Sequence, residues 1–149
     1  MDVFFELDIP AGLNTIESHF FVVRDVPTFS QSLLSSNGLD AESIGFINGV
    51  TANMETRFSG LDLDFIENIG VQIISGDGLE DRREAFFVFS DFVQLGSKTE
   101  IAMIPSLLDL KDQLLEETVD IEFKINFRAF LPQQIDARVN MKFHAFPPE

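Results

Sequence analysis

The chain has 149 residues, 45% of them hydrophobic and 23% charged, a balance that fits one folded domain and excludes wholesale disorder. Ten Lys and Arg stand against twenty-five Asp and Glu, so the formal net charge of −15 repels a nucleic-acid backbone or an anionic membrane. Without Cys there is no disulfide, thiolate zinc site or cysteine nucleophile, and no run reaches the roughly 18–20 apolar residues that cross a bilayer.

In chain order, Val3, Phe5, Leu7 and Ile9 alternate with Phe4, Glu6 and Asp8, the period of two that marks a half-buried strand. Pro10-Ala11-Gly12 breaks it, and His19 to Val23 forms a second β-prone run closed by Asp25-Val26-Pro27. Phe29, Leu33 and Leu34 fall at helical spacing before Asn37-Gly38, predicting a short helix over 28–36. A further turn capped by Asp40 is expected next. From Val50 to Phe58 the alternation places Val50, Ala52, Met54, Thr56 and Phe58 on one face. Ile66 to Ser75 predicts the next strand, Gly76 to Arg83 a turn, and Ala85 to Phe89 a returning strand that is apolar on both faces.

Thr99 to Ile104 reads as a short strand, and Pro105 to Leu115 as a helix with leucines three and four apart, expected to cap one end of the domain. Two long alternating runs follow, Val119 to Ala129 and Ile135 to Ala145, separated by Leu131-Pro132-Gln133-Gln134. Their spacing predicts a terminal hairpin in fixed register. About eight strands with two short helices and no βαβ rhythm predict a single antiparallel β-sandwich over residues 1–149, with a partly closed barrel as the alternative. Seventeen Phe with neither Trp nor Tyr predict a Phe-packed interior, the alternative being a Phe-lined pocket for an apolar or lipid-like ligand.

Residues 119–146 carry four basic and three acidic side chains, against six and twenty-two elsewhere. Lys124, Arg128, Arg138, Lys142 and His144 are therefore candidates for a docking face toward an acidic partner, with charge pairing between neighbouring strands as the simpler account. Asp62, Asp64 and Glu67, and separately Asp77, Glu80 and Asp81, cluster beside glycines and offer oxygen ligands for calcium. Neither cluster has the spacing of an EF-hand loop, and polar turns explain both. His19 and His144 are the only near-neutral bases, each inside a β-patterned run. No nucleophile elbow, phosphate-binding glycine loop or His-Glu-x-x-His occurs.

The phrase Ile104-Pro105-Ser106-Leu107-Leu108-Asp109-Leu110-Lys111-Asp112, with the alternating runs through Leu131-Pro132, resembles the ending of uncharacterised β-sandwich proteins among bacterial envelope lipoproteins. The resemblance covers about a third of the chain. It implies an extracytoplasmic module, periplasmic or lipid-anchored, and supplies no catalytic residue; the start Met1 to Glu6 lacks the basic flank of a secretory signal. The function expected from the sequence is a non-enzymatic binding or structural module with a protein or glycan partner, no nucleic acid and no cofactor beyond possible calcium. A carrier of an apolar ligand and a carboxylate-dependent hydrolase are the alternatives.

Overall fold

The computed structural model describes residues 1–56, 63–75, 82–88, 100–131 and 133–149, without the side chain of Asp64. Alternation becomes strand at eight places: β1 Asp2–Ile9, β2 His19–Pro27, β3 Phe46–Thr56, β4 Ile66–Ile74, β5 Arg82–Val88, β6 Glu100–Pro105, β7 Thr118–Phe127 and β8 Ile135–Phe146. Two short helices, α1 Ser30–Ser36 and α2 Lys111–Leu114, and 3-10 turns at Ala41–Ser43 and Leu63–Phe65 complete the described elements. The Ala41–Ser43 turn has the expected start, the Asp40 carboxylate accepting the Ser43 N–H at 3.1 Å.

The strands follow the order β1-β8-β3-β6-β5-β4-β7-β2, every described pairing being antiparallel. Among the described residues two pairs, Phe86 with Pro105 and Phe87 with Ile104, join β5 to β6. The sheet therefore folds at that seam into two four-stranded layers, β1-β8-β3-β6 and β5-β4-β7-β2, whose free edges β1 and β2 approach one another. This is the jelly-roll form of the β-sandwich. The chain changes layer at every described connection except β4 to β5.

Each layer turns its apolar side inward. Val3, Phe5, Leu7 and Ile9 from β1, Val119 to Phe127 at alternate positions of β7 and Ile135 to Phe143 at alternate positions of β8 are buried, as the period of two requires. Phenylalanines bridge the layers: Phe5 lies 5.7 Å from Phe123, and Phe86 meets Phe143 edge-on at 5.7 Å. A fully buried side chain of this size contributes about 1.5–3 kcal/mol; among the described residues Phe5, Phe86, Phe123, Phe127 and Phe143 are buried beside a larger number of Ile, Val, Leu and Met, whereas Phe4, Phe20, Phe29, Phe130 and Phe146 are exposed.

The terminal hairpin is not formed. β7 pairs with β2 and β4, while β8 pairs with β1 and β3 in the other layer. Both strands keep the predicted inward residues, because alternation fixes which side of a strand is buried and leaves open which strand lies beside it. Leu131, fully buried, plugs the corner where the chain crosses, and its carbonyl accepts the Gly12 N–H at 2.9 Å.

Val50 is also displaced from expectation. The β3–β8 register shifts between Gly49 and Thr51, and this bulge turns Val50 outward, 47% exposed. A second bulge explains the strand that is apolar on both faces. Val71 faces Phe86 and Gln72 faces Glu84, so Ala85 is an extra residue and both Ala85 and Phe86 are buried.

The helix expected over Pro105 to Leu115 shrinks to Lys111–Leu114, because the backbone before it serves neighbouring strands. Ser106 N–H donates to Ala85 O, Leu110 N–H to Ile47 O at 2.7 Å, and the Asp109 carboxylate accepts from both Ile47 N and Lys111 N. Leu107 adopts a φ of 67° within this stretch. Leu110 and Leu114 are nevertheless buried as the leucine spacing predicted.

Gly49 shows how closely the layers interlock. A Cβ there would lie 2.7 Å from the ring of Phe86, which is fully buried and has no room to retreat. Gly49→Ala is expected to lower the unfolding free energy by about 1–3 kcal/mol, read from urea denaturation; an unchanged midpoint would contradict this contact.

Candidate binding face

The antiparallel registers sort the outward residues into rows. On the β1-β8-β3-β6 layer, Asp2 faces Lys142, and Arg138 stands between Glu6 of β1 and Glu55 of β3, which itself faces Glu100 of β6. Asp8 and Asp136 face one another. Arg138 also lies over the Phe4 ring, 5.6 Å from its centroid. Two cations thus sit among six carboxylates, and this outer face is acidic.

The five basic candidates do not share a face. Arg138, Lys142 and His144 belong to β8 in this acidic layer, whereas Lys124 is on β7 in the opposite layer and Arg128 follows the end of β7. Arg128 acts within the fold. Its N–H donates to Phe65 O at 2.8 Å, and its Nε and Nη2 both donate to Ile66 O at 3.2 and 2.9 Å. That fork ties the crossing loop to the start of β4. His144 lies 4.4 Å from the Phe146 ring, and His19 shares a hydrogen bond with Asn14 O at 3.0 Å while its ring packs 5.6 Å from Phe127.

Of the calcium candidates, Asp62, Asp77, Glu80, Asp81 and the side chain of Asp64 lie outside the described residues. Glu67 is exposed at the start of β4. Among the described residues no three His, Asp or Glu converge as a metal site.

The outer face of β5-β4-β7-β2 differs from its counterpart. At its centre Arg82 and Lys124 balance Glu122 and Glu84, Arg24 and Asp120 pair beside them, Asp25 and Glu67 are exposed on β2 and β4, and Asn68, Gln72 and Asn126 lie among them. The Asp120 carboxylate accepts from Asp25 N at 3.0 Å and pairs with Arg24 at 3.3 Å, holding a β2 bulge in which Asp25 has a φ of 55°. In the middle, Arg82 Nη1 reaches both Gln72 Oε1 at 3.1 Å and Glu122 Oε1 at 3.2 Å, which lays its guanidinium across three strands. Its Nε is buried with no hydrogen-bond partner.

This face is grooved at Gly70 on β4. The residue pairs with Phe87 on one side and Lys124 on the other, yet a Cβ built on it would meet nothing within 4 Å. Glycine inside a strand costs about 0.5–1 kcal/mol relative to alanine, and the space above this one stays open. A cavity of about 480 Å³ covers Asn68, Gly70, Phe87 and Asn126. A second of about 290 Å³ shares Gly70, Glu84 and Lys124 with it and continues past Gln72, Arg82 and Glu122 to Phe20.

The sequence had assigned Arg82 to a turn and Gly70 to a plain strand. The available signal was the glycine itself, since an isolated glycine inside a strand pattern marks a bulge or a close approach. A smaller apolar cleft, about 210 Å³, lies at the far end between α1 and Ile47, Leu115 and Ala145. Outside it, the interior phenylalanines named above pack on one another across the layers.

Comparison with family models and with curated proteins finds no match. Similar solved structures include the cyanophage Pam1 capsid asymmetric unit, at 10% identity and a TM-score of 0.44 over 99% of this chain and 84% of that one. A nora virus structure is 13% identical with a TM-score of 0.37 over 99% of this chain. The chain spans 58% of the nora virus chain's length. Desmodium yellow mottle tymovirus is 10% identical with a TM-score of 0.32 over 99% and 88% of the two chains. At these values no role transfers.

All three come from viruses and none is a bacterial envelope lipoprotein, which overturns the resemblance drawn from Ile104 to Asp112. In the fold that phrase serves internal ends, Asp109 and Leu110 fastening the stretch to β3. Among the described residues no helix is long and apolar enough to cross a membrane.

Replacing Arg128 by Ala removes two charge-assisted hydrogen bonds and is expected to lower stability by about 1.5 kcal/mol, measured by thermal or urea melting. Equal loss in Lys142→Ala, whose side chain is exposed beside Asp2, would contradict the structural role given to Arg128.

Proposed function

We propose that the chain is a non-enzymatic interaction module whose working surface is the outer face of the β5-β4-β7-β2 layer. The observation that carries this reading is a groove whose two cations, Arg82 and Lys124, balance its two carboxylates, Glu84 and Glu122, on a chain of net charge −15. The opposite layer, by contrast, sets two cations, Arg138 and Lys142, among six carboxylates. Balanced charge with a recess is what a polar contact surface needs, because an approaching partner meets no net repulsion there.

The alternatives draw less support. A carrier needs an interior with room for its cargo, and ligand pockets run to about 300–1,000 Å³, whereas the apolar cleft beside α1 is about 210 Å³. A hydrolase needs a carboxylate poised on a reacting atom. In the groove, Glu122 is held by Arg82 and Glu84 faces Gln72 across the strands, an arrangement suited to fixing the surface.

A screen with chromogenic glycosides, esters and phosphoesters tests the non-enzymatic assignment. No turnover above a heat-denatured control is expected. Turnover that disappears in Glu84→Gln or Glu122→Gln would contradict it.

A further inference from the structure

We infer that the groove over Gly70 binds an uncharged saccharide chain, an assignment that rests on the outer face of β5-β4-β7-β2 being the working surface. Four independent features of the groove lead to this ligand class.

The first is the notch itself. A glycine in the interior of a strand often accommodates close approach by something else, and its usual internal occupant is an aromatic ring from the neighbouring strand. Phe87 stands opposite Gly70 and does not cover it, since nothing lies within 4 Å of a Cβ placed there. Any larger residue would fill the floor of the groove. The space is therefore open to a ligand and unused by the fold.

The second is the lining. Asn68, Asn126 and Gln72 offer carboxamides, Glu84 accepts, and Lys124 and Arg82 donate. A hydroxyl both donates and accepts, so a polyhydroxylated ring matches this mixture where an apolar ligand or a simple ion does not. The third is the fixing of Arg82, whose Nη1 is committed to Gln72 Oε1 and Glu122 Oε1, so that this side of the lining is held in one orientation before a ligand arrives.

The fourth is charge. The whole chain repels polyanions, and the groove's own cations offset its carboxylates, so neither an anionic nor a cationic ligand is selected. Phe20, 58% exposed at the β2 end of the recess and opposite Lys124, supplies an apolar ring for the C–H face of a sugar. The recess crosses from β5 to β2, about 14 Å at the usual strand spacing, which gives room for a short linear oligomer. A protein partner would call for an apolar centre, and this floor is polar.

Affinity electrophoresis of the full chain in gels containing dextran, laminarin, galactomannan or xyloglucan tests the assignment. Retardation in at least one polymer is expected, falling at least tenfold in apparent affinity in Gly70→Val and in Lys124→Ala and remaining unchanged in Asn53→Ala on the opposite layer. Gly70→Val should melt at or above the temperature of the parent, because a β-branched residue enters open space on a strand, so its loss of binding is separable from unfolding. Free migration in all four polymers, or retardation that survives Gly70→Val and Lys124→Ala alike, overturns the saccharide site. Retardation lost in Asn53→Ala and kept in Gly70→Val overturns the choice of working face instead. Gel shifts caused by bound protein in place of polymer, seen as Gly70-sensitive self-association in native mass spectrometry without any polymer retardation, likewise count against the saccharide.

Discussion

The structure depends on one constraint: two four-stranded layers must bury their apolar sides against each other, with phenylalanines among the side chains that meet across the gap. Phe5 on β1 reaches Phe123 on β7, and Phe86 on β5 reaches Phe143 on β8, so each ring contact joins the two sheets. Apolar burial is non-directional, and the directional part comes from the backbone ladders that decide which strands lie side by side. The corner at Leu131 shows both effects at once. Its side chain is sealed in the interior while its carbonyl serves the loop after β1.

The same layering generates two unlike surfaces. Inward residues are alike in both sheets, Val, Ile, Leu, Met and Phe, so what separates the layers is the intervening half of each alternation. On β1, β8, β3 and β6 that half is rich in Asp and Glu. On β5, β4, β7 and β2 it mixes amides, paired charges and a glycine. The acidity of the chain is thus unevenly displayed, and the centre of one face, around Gly70, is left electrostatically balanced. A recess lies on that face.

Much of the architecture was legible in the sequence because the period of two is a direct record of burial. β1, β7 and β8 bury the residues expected, and α1 stops at Asn37-Gly38, with Gly38 at a φ of 67°. Pairing was not legible, since a hairpin and a crossover between layers leave the same alternation in β7 and β8. Bulges were missed at Val50 and Ala85 because a single extra residue shifts phase without changing composition. The leucines after Pro105 read as a longer helix because their spacing records burial of Leu110 and Leu114, and the backbone donors spent on Ala85 and Ile47 leave no trace in sequence. The candidate site was less legible still. A list of basic residues along β7 and β8 divides between two faces once the strands part. Arg82, Gln72 and Glu122 come together from three strands, with up to 50 residues of chain between them, and only Gly70 announced itself locally.

The partition of β7 and β8 between layers is open to direct measurement by backbone nuclear Overhauser effects in solution. The account predicts contacts between Met141 and Ala52 and between Ile121 and Ile73, in the registers that place the two strands in different sheets. A ladder of backbone contacts between β7 and β8 running outward from Phe127 and Ile135 would contradict it, and would return Lys124 and Arg138 to a single face.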